Sequence, residues 1–139
     1  MKEKTQLEMV KEFHQAFNLH VAKNNSQFEN PKEKGHCEEI RSLRRKLLRE
    51  EFEEYMAAEA ENDFVEIADA LADMIYIANG TALSYGIPLD PVFKEVHRSN
   101  MNKLGKDGKP IYREDGKVTK PEGWTAPQIE DVLIENKEV

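Results

Sequence analysis

The chain has one cysteine, Cys37, among its 139 residues. No disulfide can form within it, and a reducing cytoplasm is the expected compartment. It has no run of about 18 apolar residues, so no membrane-spanning helix is expected. Met1-Lys2-Glu3-Lys4 is not followed by the apolar stretch of a signal peptide. Positive charge is the scarcer sign, 20 Lys and Arg against 27 Asp and Glu, for a formal net charge of −7. That argues against a nucleic-acid backbone as a partner for the surface as a whole. A phosphorylated ligand stays compatible with such a surface if metal ions stand between the two. No internal repeat, low-complexity tract or second-domain linker is evident. The expectation is therefore one domain over residues 1–139, with its core at about 5–104 and a basic hairpin and tail over 105–139.

What is abundant is charge, 34% of residues, beside 39% hydrophobic ones, as in a soluble helical protein. Thr5-Gln6-Leu7-Glu8 is a capping box. It opens a helix expected to run to about Val21 on the stripe Leu7, Val10, Phe13, Phe17 and Val21, with His14 and Asn18 at its border. The polar stretch 22–37 reads as a crossing loop. Glu33 and His36 have the spacing of a metal-binding helix, but they sit beside Pro31 and Gly35, where no helix is expected to aim them. A second helix follows over about Glu38–Ala60, then a turn at Glu61-Asn62-Asp63. A third, capped by Asn62 or Asp63, runs to about Tyr85 and stops at Gly86. Asp90-Pro91 reads as the start of a fourth, to about Leu104. Residues 110–119 read as a small hairpin around Asp115-Gly116. Gln128–Ile134 reads as a short last helix. The fold class is all-α, a four-to-five-helix bundle with a small C-terminal hairpin and tail.

Two of these helices carry acids on faces that should meet the core. At about 100° per residue, Glu51 and Glu54 fall within about 40° of the line set by Ile40, Leu43 and Leu47, and Glu50 lies at its edge. Glu53 and Glu59 point to solvent. The third helix is apolar almost all round. After Asp63 its only acids are Glu66, Asp69 and Asp73, within about 60° of one another. Buried carboxylates without a partner cost several kcal/mol. Salt bridges to Arg41, Arg44, Arg45 or Arg49, water, or a metal are the available partners. A metal is favoured, and oxygen-only ligands favour Mg²⁺, with Mn²⁺ as the alternative. Six acids leave room for more than one ion, which suits phosphoryl-transfer chemistry.

Glu51-x-x-Glu54 followed by Glu66-x-x-Asp69 resembles the ExxE…ExxD signature of the all-α nucleoside triphosphate pyrophosphohydrolases. That superfamily includes MazG-like proteins, dimeric dUTPases and phosphoribosyl-ATP pyrophosphohydrolases. Residues 66–76, 95–103 and 10–17 are similar to a MazG-like branch related to the dUTPases, and the resemblance covers about residues 8–129. It implies hydrolysis of a nucleoside or deoxynucleoside triphosphate to the monophosphate and pyrophosphate with Mg²⁺. The implied role is nucleotide-pool clean-up. By the same resemblance Glu51, Glu54, Glu66 and Asp69 are metal ligands, with Glu50 beside them as a ligand or general base and Glu54 as the other candidate base. Many relatives place the aspartate directly before the hydrophobic run, which here is Asp73, so both aspartates stand as ligands. Arg98, Lys103 and Lys106 are the expected phosphate contacts. Asn79, Asn100 and His14 are the expected sugar or base contacts, the last beside Phe17 and Tyr76. Relatives assemble as dimers or larger, and the third helix is apolar on too many sides for one layer of neighbours, so a homodimer or homotetramer is expected. Phosphoribosyl-ATP hydrolysis and a non-catalytic metal-binding helical protein are the alternative functions.

Overall fold

In a computed structural model, residues 2–25 and 38–136 are described. Glu33, His36 and Cys37 lie outside them. The described residues contain five helices and no strand: α1 (Gln6–Ala16), α2 (Glu38–Ala60), α3 (Phe64–Tyr85), α4 (Leu89–Met101) and α5 (Ile129–Glu135). They form two compact units, one reaching to Leu89 and the other Asp90–Asn136.

The first unit is a long antiparallel hairpin of α2 and α3 with α1 laid along α3. Thr5 caps α1 through both arms of the capping box: its hydroxyl accepts from the Glu8 N–H at 3.1 Å, and Glu8 accepts from the Thr5 N–H at 3.0 Å. The helix ends at Ala16, earlier than the apolar stripe implies. Asn18 takes a left-handed φ of 57°, and the Leu19 N–H closes back onto the His14 carbonyl at 2.8 Å. Asparagine tolerates that conformation just past a helix end, and it overrides the periodicity that continues to Val21. Asp63 caps α3 by accepting from the Glu66 N–H at 3.2 Å, and Gly86, at φ 75°, terminates it. Leu7, Val10, Ala82 and Leu83 form the buried core, with Val21, Ile87 and Leu89 packed against it.

The α2–α3 hairpin keeps one register throughout. Arg44 lies over Gly80, and seven residues further along α2 Glu51 meets Asp73, seven residues back along α3. Buried Arg44 donates to the Ile77 carbonyl at 2.9 Å and to the Thr81 hydroxyl at 3.1 Å. His14 of α1 closes the same spot, its Nδ1 at 3.1 Å from the His20 carbonyl. Burial holds the His14 imidazole below its ordinary pKa, so the neutral ring donates through Nδ1 to that carbonyl. Three helices thus meet over one residue without a side chain.

The second unit contains α4, a looped segment and α5. α4 begins at Leu89, so Pro91 falls inside its first turn, where the missing N–H is not needed. It ends at Met101, before the expected Leu104, and α5 begins at Ile129 and reaches Glu135. Between them one turn is built twice, a repeat that composition does not reveal. Asp107 and Asp115 each accept from the backbone N–H two residues on, both at 3.0 Å. Gly108 and Gly116 follow with φ of 76° and 85°. Leu104 bridges to Pro110, and Tyr112 to Val118. The expected hairpin around Asp115-Gly116 is therefore present as the second copy, with isolated bridges in place of strands.

A Cβ added at Gly80 would press on the Arg44 guanidinium and lie 2.9 Å from His14 Nε2. Arg44 is held by two hydrogen bonds and cannot swing away freely. Gly80→Ala should therefore lower stability by about 1–3 kcal/mol, the usual cost of overpacking. Urea denaturation measures it. Unchanged stability would mean that the three helices do not meet this closely.

Candidate metal centre

Glu51 and Glu54 stand one turn apart on α2, and Asp73 faces them from the middle of α3. One carboxylate oxygen from each of the three lies within 4.8 Å of the other two. Glu54 is exposed, Glu51 and Asp73 are half-buried, and Glu51 Oε2 is shielded from solvent with no hydrogen-bond partner among the described residues. No lysine or arginine among the described residues forms an ion pair with any of the three. Arg44 is committed to α3, and Arg45 pairs with Glu38 at 2.6 Å.

The electrostatic consequence is large. Burial, then Asp73, then Glu54 push the Glu51 carboxyl up to about 7. Burial and the neighbouring Asp69 raise Asp73. Like charges this close favour a shared proton or a cation. The donor set fits a hard divalent ion: it is all carboxylate oxygen, presented from two packed helices, with one buried oxygen unsatisfied.

The other acids expected here are placed less centrally. Asp69 is one turn from Asp73 and close enough to raise its pKa, but it is outside the group of three. Glu66 shares the angular face of Asp73, yet seven residues of helix separate them by about 10 Å along the axis. It is exposed in the first turn of α3. Glu50 is exposed beside Glu51, also outside the group.

Asn79 is buried on α3, its Nδ2 donating to the Ile75 carbonyl at 2.9 Å. It lines a cavity of about 210 Å³ between α1 and α3. His14 is buried in the three-helix joint described above and is not among that cavity's lining residues.

The remaining expected contacts belong to the second unit. Arg98 binds Glu95 through two hydrogen bonds, at 2.8 and 2.7 Å. Glu95 also accepts from the Gln128 N–H at 2.7 Å, and Arg98 with that N–H holds its carboxyl down at about 2. Trp124 donates from Nε1 to the Ser99 carbonyl at 2.7 Å, and the Ser99 hydroxyl donates to the Thr125 carbonyl at 2.8 Å. Trp124 thus pins its segment to α4, with the Lys103 ammonium 5.9 Å from its ring centroid. Asn100 and Lys106 are exposed. The clasp between Glu95 and Arg98 was legible only as an i, i+3 pair of opposite charge.

Helices that bring carboxylates together from an antiparallel pair define a class of all-α proteins with an acidic centre. The family model described as phosphoribosyl-ATP pyrophosphohydrolase matches residues 10–100. The chain belongs to that family, within the all-α MazG-like superfamily. Among curated proteins it is similar to uncharacterized protein L479 of Acanthamoeba polyphaga mimivirus, 33% identical over 78 residues. The matched stretch is 56% of this chain and 29% of the viral protein, so the chain spans less than a third of that relative's length. None of the described helices is long and apolar enough to cross a membrane.

The raised pKa of Glu51 sets a pH dependence for the metal-free protein. A carboxyl whose folded pKa, about 7, exceeds its ordinary 4.5 stabilises the fold below 4.5, and that contribution is lost as pH rises through 7. His14 acts oppositely: its depressed pKa contributes stability above about 6.5 that is lost as pH falls. Comparing wild type with Glu51→Gln isolates the first effect. In EDTA, the melting temperature of wild type relative to the variant should fall by several degrees between pH 5 and 8, and saturating Mg²⁺ should reverse the fall. Parallel profiles with and without Mg²⁺ would contradict it.

Proposed function

We propose that the chain is a divalent-metal-dependent pyrophosphohydrolase. In this reading water is added across the α–β phosphoanhydride of a nucleoside or deoxynucleoside triphosphate, and the monophosphate and pyrophosphate are released. The role is removal of unwanted nucleotides from the pool. The observation that carries it is the convergence of Glu51, Glu54 and Asp73, with which no lysine or arginine among the described residues forms an ion pair. Membership of a pyrophosphohydrolase family supports it.

Glu51, Glu54 and Asp73 would hold the ion, with Asp69 behind Asp73. Mg²⁺ suits the oxygen-only donor set, and Mn²⁺ is the alternative. When bound, such an ion supplies Lewis acidity toward phosphoryl oxygens and offsets the charge of the triphosphate. The chain supplies rigid placement, since two packed helices hold the acids. It also supplies a base: Glu54, at the exposed rim, accepts the proton of the attacking water, with Glu50 beside it as the other carboxylate in position. A second copy of the chain is expected to cover the apolar residues that the hairpin leaves open. Phe52 is 51%, Met56 53%, Phe64 82% and Val65 74% exposed, and clusters of this kind mark association surfaces.

The description of the matching family favours a second reading, phosphoribosyl-ATP as the substrate. The chemistry is the same, and a panel of dNTPs, NTPs and phosphoribosyl-ATP at fixed Mg²⁺ separates the two. Glu51→Gln and Asp73→Asn should each lower pyrophosphate release by about 10²-fold or more, the scale of lost electrostatic stabilisation, with the fold retained by circular dichroism. Pyrophosphate release at the wild-type rate in both variants would overturn the metallohydrolase reading.

A further inference from the structure

Of the 23 residues of α2, only Arg44 and Ala58 are buried. They stand seven residues on either side of Glu51, and at about 100° per residue all three share one face within about 40°. Ala58 is attached at the closed end of the hairpin, where its carbonyl accepts from the Asp63 N–H at 3.0 Å across the turn. Arg44 is attached at the open end, through its bonds to the Ile77 carbonyl and the Thr81 hydroxyl. The same spacing recurs on α3. Gly80, under Arg44, lies seven residues and about 10 Å from Asp73, which meets Glu51. Gly80 is the one glycine of α3, and the guanidinium occupies the notch it leaves, with His14 of α1 beside it. The acids thus sit between two anchors, one made by the turn and one by an arginine.

We propose that Arg44 is a positioning residue for the acidic centre: by closing the open end of the hairpin over Gly80, it holds Glu51, Glu54 and Asp73 near enough to share one divalent ion. This rests on the metal-dependent reading of those acids. Glu51 and Glu54 are on one helix and Asp73 is on the other, so their repulsion acts to part α2 from α3. The turn resists at one end only. At the other end a planar guanidinium fork binds two acceptors on α3, and a fork fixes direction as well as distance. A single buried polar group can specify the alignment of paired helices in this way. Charge and position make opposite predictions. A cation about 10 Å away opposes a second cation, so if Arg44 acted through its charge, removing it would tighten Mg²⁺ binding. If it acts through position, removing it weakens binding.

The test uses the full chain, wild type and two variants. Arg44→Met removes the charge and both hydrogen bonds, whereas Arg44→Lys keeps the charge and loses the fork. Each is first checked for a cooperative melt in EDTA. Calorimetry with Mg²⁺ at pH 7 gives the affinity of the folded protein. Double electron–electron resonance gives the separation of α2 and α3 without metal. For it, spin labels are placed at Glu53→Cys and Ala78→Cys, exposed positions outside the acidic group, in a Cys37→Ser background. The Mg²⁺ Kd should rise about tenfold or more in Arg44→Met, the scale on which loss of groups behind a metal's ligands is felt. Arg44→Lys should fall between it and wild type. The label distance should be single and narrow with Arg44 present, and longer or broader in Arg44→Met. A merely structural arginine would lower the melting temperature and leave the Mg²⁺ Kd where it was. An unchanged distance distribution, or Mg²⁺ binding that is unchanged or tighter, overturns the proposal. Arg44→Met decides if it melts cooperatively, and Arg44→Lys if it does not. If wild type binds no Mg²⁺, the metal reading fails separately and the distances decide: broadening supports the arginine clamp, and an unchanged distribution ends it.

Discussion

The mutual repulsion of three carboxylates, held together by the register of two helices, is the constraint on which the rest of the first unit depends. Glu51, Glu54 and Asp73 are brought within 4.8 Å of one another because α2 and α3 pack antiparallel along most of their length. Local chain preference does not favour that meeting. It persists because the register is fixed elsewhere along the pair, at the buried Arg44 joint, and the cost appears as a Glu51 carboxyl near 7. Strain of this kind, concentrated where a cation would relieve it, is how a site is prepared before its ligand arrives.

The same seam carries the opposite charge two turns away. Arg44 is buried over Gly80, about 10 Å along the helix from Glu51. Coulomb energy falls with distance, so at equal dielectric a charge about 10 Å off offsets only about half of one at about 5 Å. Arg44 therefore leaves a large part of the repulsion in place, and it is not among the groups that shift the Glu51 carboxyl. Its own burial is answered by the Ile77 carbonyl and the Thr81 hydroxyl. Neutral His14 and side-chain-free Gly80 make room for it. The arginine joint fixes the register, and the register fixes the acids.

Much of this was legible in the chain. The capping box at Thr5 and Glu8 and the glycine stop at Gly86 follow from local rules, and the structure keeps both. The angular choice of Glu51 and Glu54 over Glu53 follows from the same rules, and their carboxylates lie together with that of Asp73. The acids of α3 show where local rules stop. Helical phase placed Glu66, Asp69 and Asp73 on one face, and they do share it. Phase carries no information about height along the axis, and only the packed register shows that Asp73 is level with Glu51 while Glu66 is about two turns away. The end of α1 departs from the periodic stripe, which continues past Asn18, because the left-handed backbone there closes the helix. The buried joint of His14, Arg44 and Gly80 was invisible because it depends on three helices at once. The repeated Asp-Gly turn was hidden because its two copies share only a few residues.

The central claim is that these carboxylates hold a proton that a divalent ion displaces. The most direct measurement is calorimetric titration of the metal-free protein with Mg²⁺ at pH 7 in two buffers of different ionisation enthalpy. The difference between the observed heats gives the protons released per ion bound. Release of a substantial fraction of a proton, absent in Glu51→Gln, is the predicted result. Binding with no proton released, or no binding at these acids, would contradict the account.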